Sequence, residues 1–464
     1  MKTGKSCAIT AGRGKHDRSG SVLIIVLWIS LGLVTLALYF ADSMSMELRS
    51  ADNQLASAQA EQAIEGAARY ITNILTLKFD PGRVAGPQTY KGQGVPVGEA
   101  TFWIIGRDTN DWQTGPVNPV FGLVDEASKL NLNLVQTGML AGLPRMTADL
   151  EASIITWGTS NTNAATTLGG AGSTAYQMLN PPYLCKSAKF ETPEELRLVY
   201  GMSLDVLYGE DMNLNGILDL NENDGNSHAP FDNNDGKLDP GLLEYVTTFS
   251  HEPNMLFDGS GLPRVDVTTN TDAVRLAALL QNAGVSSDIS STLTNAPVGM
   301  NTNVLAWEIY ASGLGVTDAQ LAVLDTNITA TATNNLIGPG LVNINTARET
   351  VLACIPGIGL ANAANVVAYR KTNPDKLGSV HWLANVLDTA SAQLAGTYVT
   401  AHSYQYSADI AAVGRHGRGY RRIRLVFDTS SGSPVIVYRQ DLTHLGWALG
   451  KQGRTDLALL KGIR

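Results

Sequence analysis

"GSVLIIVLWISLGLVTLALYFADS", residues 20–43, decides how the rest of the chain is read. From Val22 to Phe40 it is one unbroken apolar run, with Arg18 before it and Asp42 after it. A helix needs roughly 20 such residues to cross about 30 Å of hydrocarbon, so the run has spanning length. It could serve as a signal peptide, as a membrane anchor or as the core of an assembled stalk. No second run of this kind occurs later in the chain, which argues against a multi-span transporter. The first twenty residues carry Lys2, Lys5, Arg13, Lys15 and Arg18 against Asp17, a net of +4. Such a terminus stays cytoplasmic and sends the body of the chain across the membrane.

Beyond the run the chain has no proline as far as Leu77. "MELRSADNQLASAQAEQAIEGAARYITNILTL" (46–77) is rich in Ala, Glu, Gln and Leu, all good helix formers. Run and stretch together make one rod of about 55 residues, on the order of 80 Å at 1.5 Å per residue.

The 464 residues are enough for about two to four domains. A hydrophobic content of 44% and a charged content of 16% describe a globular chain. The net charge is −9, and the part after the basic terminus is more acidic still. That body lacks the basic footprint of a nucleic-acid binder. Three cysteines, Cys7, Cys185 and Cys354, make no disulfide framework. Cys185 and Cys354 either pair in an oxidising compartment or remain separate thiols.

Gly/Pro punctuation begins at "FDPGRVAGPQTYKGQG" (79–94). Strand candidates come next in "GEATFWIIGRD" (98–108) and "NPVFGLVDE" (118–126). From about Thr137 to Thr400 the pattern is mostly helical, with low-complexity loops at 158–175 and 326–337. "RRIRLVFDTS" and "SPVIVYRQDLT" read as two strands joined by the Ser-Gly turn at 431–432. Strands at both ends of a helical middle predict an α+β domain with a large helical insertion.

"DMNLNGILDLNE" (211–222) fits the twelve-residue calcium loop of an EF-hand. Asp211, Asn213 and Asn215 hold positions one, three and five, and Gly216 holds the sharp turn at six. Ile217 offers its carbonyl, Asp219 sits at nine, Glu222 at twelve, and Leu218 is the apolar plug at eight. Calcium takes six to eight hard oxygen ligands, and this spacing gathers them round one point. The alternative is a solvated Asn/Asp/Gly turn. In "FDNNDGKLDPGLLEY" Asp235, Gly236 and Asp239 keep the loop spacing, but Phe231 falls where the first acid belongs. A second ion there would use Asp232 or Asn233 in a shifted register; otherwise the stretch lends ligands to the first loop or is a plain turn. His228, between the loops, is read as a loop residue and not as a ligand.

"LVNINTARETVLACIPGIGLANAANVVAYRK" (341–371) is the second strong pattern. Asn345 is expected to cap a helix from Thr346 to Cys354. Gly357 and Gly359 give the "IPGIG" turn backbone angles closed to other residues. A second helix is expected to place Ala361, Ala364, Val367 and Ala368 on one face. The pattern resembles the helix-hairpin-helix of DNA-binding proteins and competence receptors. No Lys or Arg lies between Arg348 and Arg370, however, and phosphate binding draws on basic side chains. A structural helical pair is the competing reading.

No G-x-S-x-G, H-E-x-x-H or C-x-x-C occurs. "RGKHDRSG" (13–20) and "GRHGRGYRR" (414–422) read as basic turns. "GRGKHDRSG" lacks the G-K-[ST] ending of a Walker loop.

Leader, apolar helix and polar stalk together resemble the type IV pilin and pseudopilin class. Within it the body is similar to the minor pseudopilin K family of type II secretion systems. "GLVDEASKLNLNLV" (122–135), "ETPEELRLVYGMS" (191–203), the calcium region with "YVTTFSHEPN" (245–254), and "VNINTARETVLACIPGIG" (342–359) carry the likeness. It implies cleavage after Gly20 and N-methylation of Ser21. Counting from Ser21, the fifth residue is Ile25, where most pilins have a glutamate thought to pair with the neighbouring subunit's terminal amine. A buried carboxylate in a bilayer is costly unless paired. A subunit at the tip has nothing above it to pair with, and the pseudopilin K family characteristically lacks the glutamate. Departures from the family are a longer leader, Ser21 in place of a bulkier residue, and Gly158, Thr159 and Ser160 after Trp157 where acidic residues are often found.

The resemblance implies a leader (1–20), a membrane and stalk helix (21–78), a pilin-like sheet domain split between 79–136 and 401–464, and an inserted α-domain (137–400). The insertion would hold the calcium loops (205–245) and the hairpin module (340–390). It further implies a non-enzymatic subunit that caps the pseudopilus, starts its assembly and packs with other minor pseudopilins. Before assembly it would be a single-pass inner-membrane protein with a periplasmic body. A DNA-binding minor pilin and a calcium-dependent membrane-anchored enzyme are the rival readings.

Overall fold

The structure is a computed structural model and describes residues 4, 19–77, 80, 82–83, 86–107, 119–159, 169–269, 271–297, 302–332 and 335–460. The leader up to Arg18 (Gly4 apart), half of the low-complexity loop 158–175 and part of 326–337 lie outside the described residues.

The expected rod is a single helix, α1 (Ser19–Leu77), of 59 residues. That is roughly 90 Å at 1.5 Å per residue. No described side chain from Val22 to Leu55 is buried. Among the described residues this is the one helix long and apolar enough to cross a membrane. Burial starts at Ala56 and returns at Ala60, Ala63, Ile64, Ala67, Ala68, Ile71, Ile74 and Leu75. These positions recur every three or four residues, so they form one stripe. The small alanines let the helix backbone come close to the sheet. A Cβ on Gly414 would stand 2.1 Å from the Ala56 carbonyl oxygen, and one on Gly419 2.3 Å from its carbonyl carbon. Asp52 accepts from Arg415 Nε at 2.8 Å and Arg418 Nη1 at 2.6 Å, just where α1 leaves the body.

The stripe lies on an antiparallel sheet ordered β1 (Val95–Val97), β2 (Ala100–Ile105), β10 (Gln405–Val413), β11 (Arg421–Asp428), β12 (Val435–Asp441). β3 (Val124–Asp125) also pairs with β10. Tyr406, Ala408, Ile410 and Ala412 of β10 face α1, and Ala411 and Val413 face the other way onto Trp103, Ile105, Ala448 and Leu449. Val413 pairs with Thr101 beside the exit of α1, Ile105 pairs with Asp409 at mid-strand, and β3 pairs with the opposite half of β10. Both ends of the insertion therefore leave the sheet at the end away from the free half of α1.

Between β3 and β10 lie the short helices α2 (Ala148–Gly158), α3 (Ser173–Gln177), α4 (Leu204–Tyr208), α5 (Ala273–Asn282), α6 (Ser287–Thr294), α7 (Val304–Gly313), α8 (Asp318–Leu324), α9 (Glu349–Ala353), α10 (Gly359–Thr372) and α11 (Thr389–Ala395). α12 (Gly450–Leu460) comes after the sheet. The insertion is less helical than its sequence suggests. Three two-residue parallel ladders tie it together: β4 (Leu130–Asn131) with β5 (Val246–Thr247), β6 (Val265–Asp266) with β7 (Ile328–Thr329), and β8 (Val342–Asn343) with β9 (Val399–Thr400). Pairings this short fall below the four to eight residues that an alternation pattern needs.

Candidate functional site: twin loops and an arginine clamp

The loop 211–222 folds on its own side chains. Asp211 takes the amides of Asn215 at 2.9 Å and Gly216 at 2.8 Å. Asn213 Oδ1 accepts from Asn215 N, and Asn215 Oδ1 from Ile217 N. Asn213 Nδ2 donates to Asp219 Oδ2 at 2.8 Å, and Glu222 accepts from Asp219 N at 3.0 Å. Gly216 has φ +70°, as its turn position requires, and Leu214 is left-handed at 53°. The apolar plug is Ile217, which is buried, while Leu218 is only half-buried.

The second loop repeats this pattern twenty residues on. Asn233 Oδ1 accepts from Asp235 N, Asp235 Oδ1 from Lys237 N, and Asn233 Nδ2 donates to Asp239 Oδ2. Gly236 and Asn234 match Gly216 and Leu214 at φ 77° and 54°. Phe231 and Leu242 stand where the first loop has Asp211 and Glu222, so positions one and twelve carry no oxygen. Asp232 caps the amides of Asp224, Gly225 and Asn234 instead. The loops are tied by Glu210 N to Asp239 O at 2.9 Å and by Asp239 N to Glu210 Oε2 at 2.9 Å. His228 is exposed and bonds Asp224, as a loop residue would.

The charge state of the first loop is unusual. Burial, with Asp211 nearby, pushes the Glu222 carboxyl up to about 9. Burial likewise raises Asp211, against the pull of Arg107. Among the described residues no three His, Cys, Asp or Glu side chains form a metal-holding group by themselves. The donor set is mixed: the carboxylates of Asp211, Asp219 and Glu222, the amides of Asn213 and Asn215, and the Ile217 carbonyl. Both amides now turn their nitrogens to Asp219, and either one turned over would present oxygen.

Two arginines that the sequence did not single out hold this loop on the sheet. Arg422 of β11 is fully buried and grips Asp409 of β10 through Nε at 2.8 Å and Nη2 at 2.5 Å. It also donates to the carbonyls of Asn213 at 2.5 Å and Leu214 at 2.7 Å. Arg107, just after β2, gives Nη2 to Leu214 O at 2.6 Å and Nε to Glu244 at 3.1 Å. Glu244 also takes Arg348, at the start of α9, at 2.8 Å. "GRHGRGYRR" is thus more than a basic turn: Arg415 and Arg418 anchor α1, and Arg422 anchors the loop.

The hairpin departs from its expected form in three ways. Its first helix is α9, Glu349–Ala353, and the cap position belongs to Arg348. Asn345 does not cap it; its amide donates to the carbonyls of Leu377 and Ala401 and accepts from Trp382 Nε1. The buried face of α10 is Ala363, Val366, Val367 and Arg370, whereas Ala361, Ala364 and Ala368 are exposed. Arg370 sets that phase by donating inward to the carbonyls of Ile344 and Ala347. Gly357 and Gly359 do have positive φ, 87° and 62°. A Cβ on Gly357 would stand 2.3 Å from Ser391 O, so α11 covers that side of the turn. Cys185 and Cys354 are buried, separate thiols.

A long helix on an antiparallel sheet, with a bulky insertion between its strands, is a pilin-like fold. Residues 126–208 match the family described as type II secretion system, protein K, and residues 340–387 match the helix-hairpin-helix motif. The two matches cover separate segments of the insertion and together less than a third of the chain. A chain in "the GspK-GspI-GspJ complex from enterotoxigenic Escherichia coli Type 2 Secretion System" is similar over 85% of this chain and 99% of that one, at 11% identity and a TM-score of 0.41. No curated protein matches.

Proposed function

We propose that the chain is a non-enzymatic minor pseudopilin that caps the tip of the type II secretion pseudopilus and helps to start its assembly for protein export across the outer membrane. The observation that carries this reading is where the insertion sits. It leaves the sheet at the end opposite the free half of α1, where the next subunit of a filament would stack. Ile25 in the exposed helix supports it, since a tip subunit needs no glutamate there. Before assembly, Val22–Phe40 would hold the protein in the inner membrane with its body in the periplasm. The leader would be cut after Gly20, and Ser21 would be methylated.

The first loop fits calcium. Its donors are all oxygen, and buried carboxylates gain from a cation that neutralises them. Asp211, Asn213, Asn215, Asp219, Glu222 and the Ile217 carbonyl would hold one ion. Asn233, Asp235 and Asp239 would form a weaker second site, because two of its positions lack oxygen. The ion would pin a loop-rich, acidic region.

The partners would be other minor pseudopilins. Co-expression with the two other minor pseudopilins of the same secretion system tests this, and a stable three-component complex is expected. The rival minor-pilin reading expects the body to bind DNA through the hairpin, tightly at low salt and weakly at high salt. DNA binding of that kind, with no complex formed, would overturn the proposal.

A further inference from the structure

We infer that Arg107 and Arg422 are positioning residues for the metal loop, so that loading of the loop and docking of the insertion on the sheet are one linked equilibrium; the inference rests on the calcium reading above. The loop touches the sheet through main-chain carbonyls at its third and fourth positions, Asn213 and Leu214. In a loop of this type only the seventh position lends a main-chain carbonyl to the ion, so the arginines do not compete with it. They hold the outer wall of the loop while its side chains point inward.

Three observations give the contact its weight. The Leu214 carbonyl takes both arginines, at 2.6 Å and 2.7 Å, on a branched residue held at φ 53°, which a side chain rarely adopts. Arg107 lies along the turn, and a Cβ on Gly216 would meet its Cδ at 3.1 Å. Neither arginine is free to move: Arg422 is bound to Asp409 in the middle of the sheet, and Arg107 shares Glu244 with Arg348 of the hairpin module. Seating the insertion on β2, β10 and β11 therefore holds the loop backbone in the shape that its own side chains form. Coupling of this kind is reciprocal, so the ion must tighten the seating by the factor that the seating tightens the ion.

The test is calcium titration by calorimetry on the full chain in detergent micelles. Arg107→Gln should bind calcium about 10- to 100-fold more weakly, the range for losing a contact that lies behind the ligands of a metal site. Its calcium-induced rise in Tm should shrink, whereas a merely structural loss would lower the melting of the calcium-free and loaded forms alike. Arg107→Lys reaches Leu214 or Glu244 but not both, and should fall between. Arg439→Gln, which breaks only the exposed contact to Glu65 on α1, should bind as the unmodified chain does. Unchanged affinity and an unchanged Tm rise in Arg107→Gln would overturn the inference while leaving the calcium reading intact. No calcium binding by the unmodified chain would overturn both. Should Arg107→Gln fail to fold, hydrogen exchange on the unmodified chain decides. The amides of β10 and β11 should exchange more slowly with calcium, and equal rates would overturn the inference.

Discussion

Replacing Glu244 by Gln should separate the sheet from the insertion energetically. Glu244 is buried between Arg107 at 3.1 Å and Arg348 at 2.8 Å, one from the sheet side and one from the hairpin module. Burial alone would raise its carboxyl, but the two guanidinium groups hold it at about 2, against an ordinary 4.5. A depression of this size is worth on the order of 3 kcal/mol, at about 1.4 kcal/mol per pKa unit. The folded value lies below the unfolded one. The stabilisation is therefore complete above about pH 4.5 and is lost as the pH falls toward 2. Glutamine keeps the shape but leaves two buried cations without their charge partner, a loss of about 3–5 kcal/mol at neutral pH. Urea unfolding of the full chain in micelles, followed by tryptophan fluorescence between neutral pH and pH 3, reads both effects. The variant should be weaker at neutral pH, and the gap to the unmodified chain should narrow as the pH falls. A constant gap across the series would refute the ionic clamp, because a purely steric loss has no reason to depend on pH.

Two further substitutions test how the parts are packed. Gly357→Ala forces a Cβ to 2.3 Å from Ser391 O at φ 87°, so the hairpin should lose roughly 1–3 kcal/mol, read as a lower Tm. Gly414→Ala keeps an ordinary backbone angle but drives a Cβ to 2.1 Å from the Ala56 carbonyl. It should cost about 1–3 kcal/mol and speed hydrogen exchange in α1 from Ala56 to Leu75 more than in the insertion.

Much of this fold is legible in the sequence because its signals are local. The rod needs only a proline-free run of helix formers, β11 and β12 flank an ordinary turn, and the loop announces itself by the spacing of Asp211, Asn213, Asn215 and Gly216. The central strand β10, "QYSADIAAV", is only partly legible. Polar Gln405, Ser407 and Asp409 alternate with Tyr406, Ala408 and Ile410, but the alternation stops at Ala411 and Ala412, which are good helix formers, and both faces are buried. Ala408 and Ala412 make sense only once α1 is laid against them. Asn345 misleads in a similar way. It has the type and place of a cap, but carbonyls from Leu377 and Ala401 compete for it, and no local pattern contains them. Arg422 carries least signal of all, since its partners Asn213 and Leu214 lie more than two hundred residues away.

The central claim is the tip position, and the copy number in the assembled filament tests it most directly. Pseudopili assembled with an epitope on the exposed β12 edge at Val435–Val437, sheared and labelled with gold, should carry one label each, at one end. Labels spread along the shaft would show a stacking subunit, and the reading of the insertion as a cap would be contradicted.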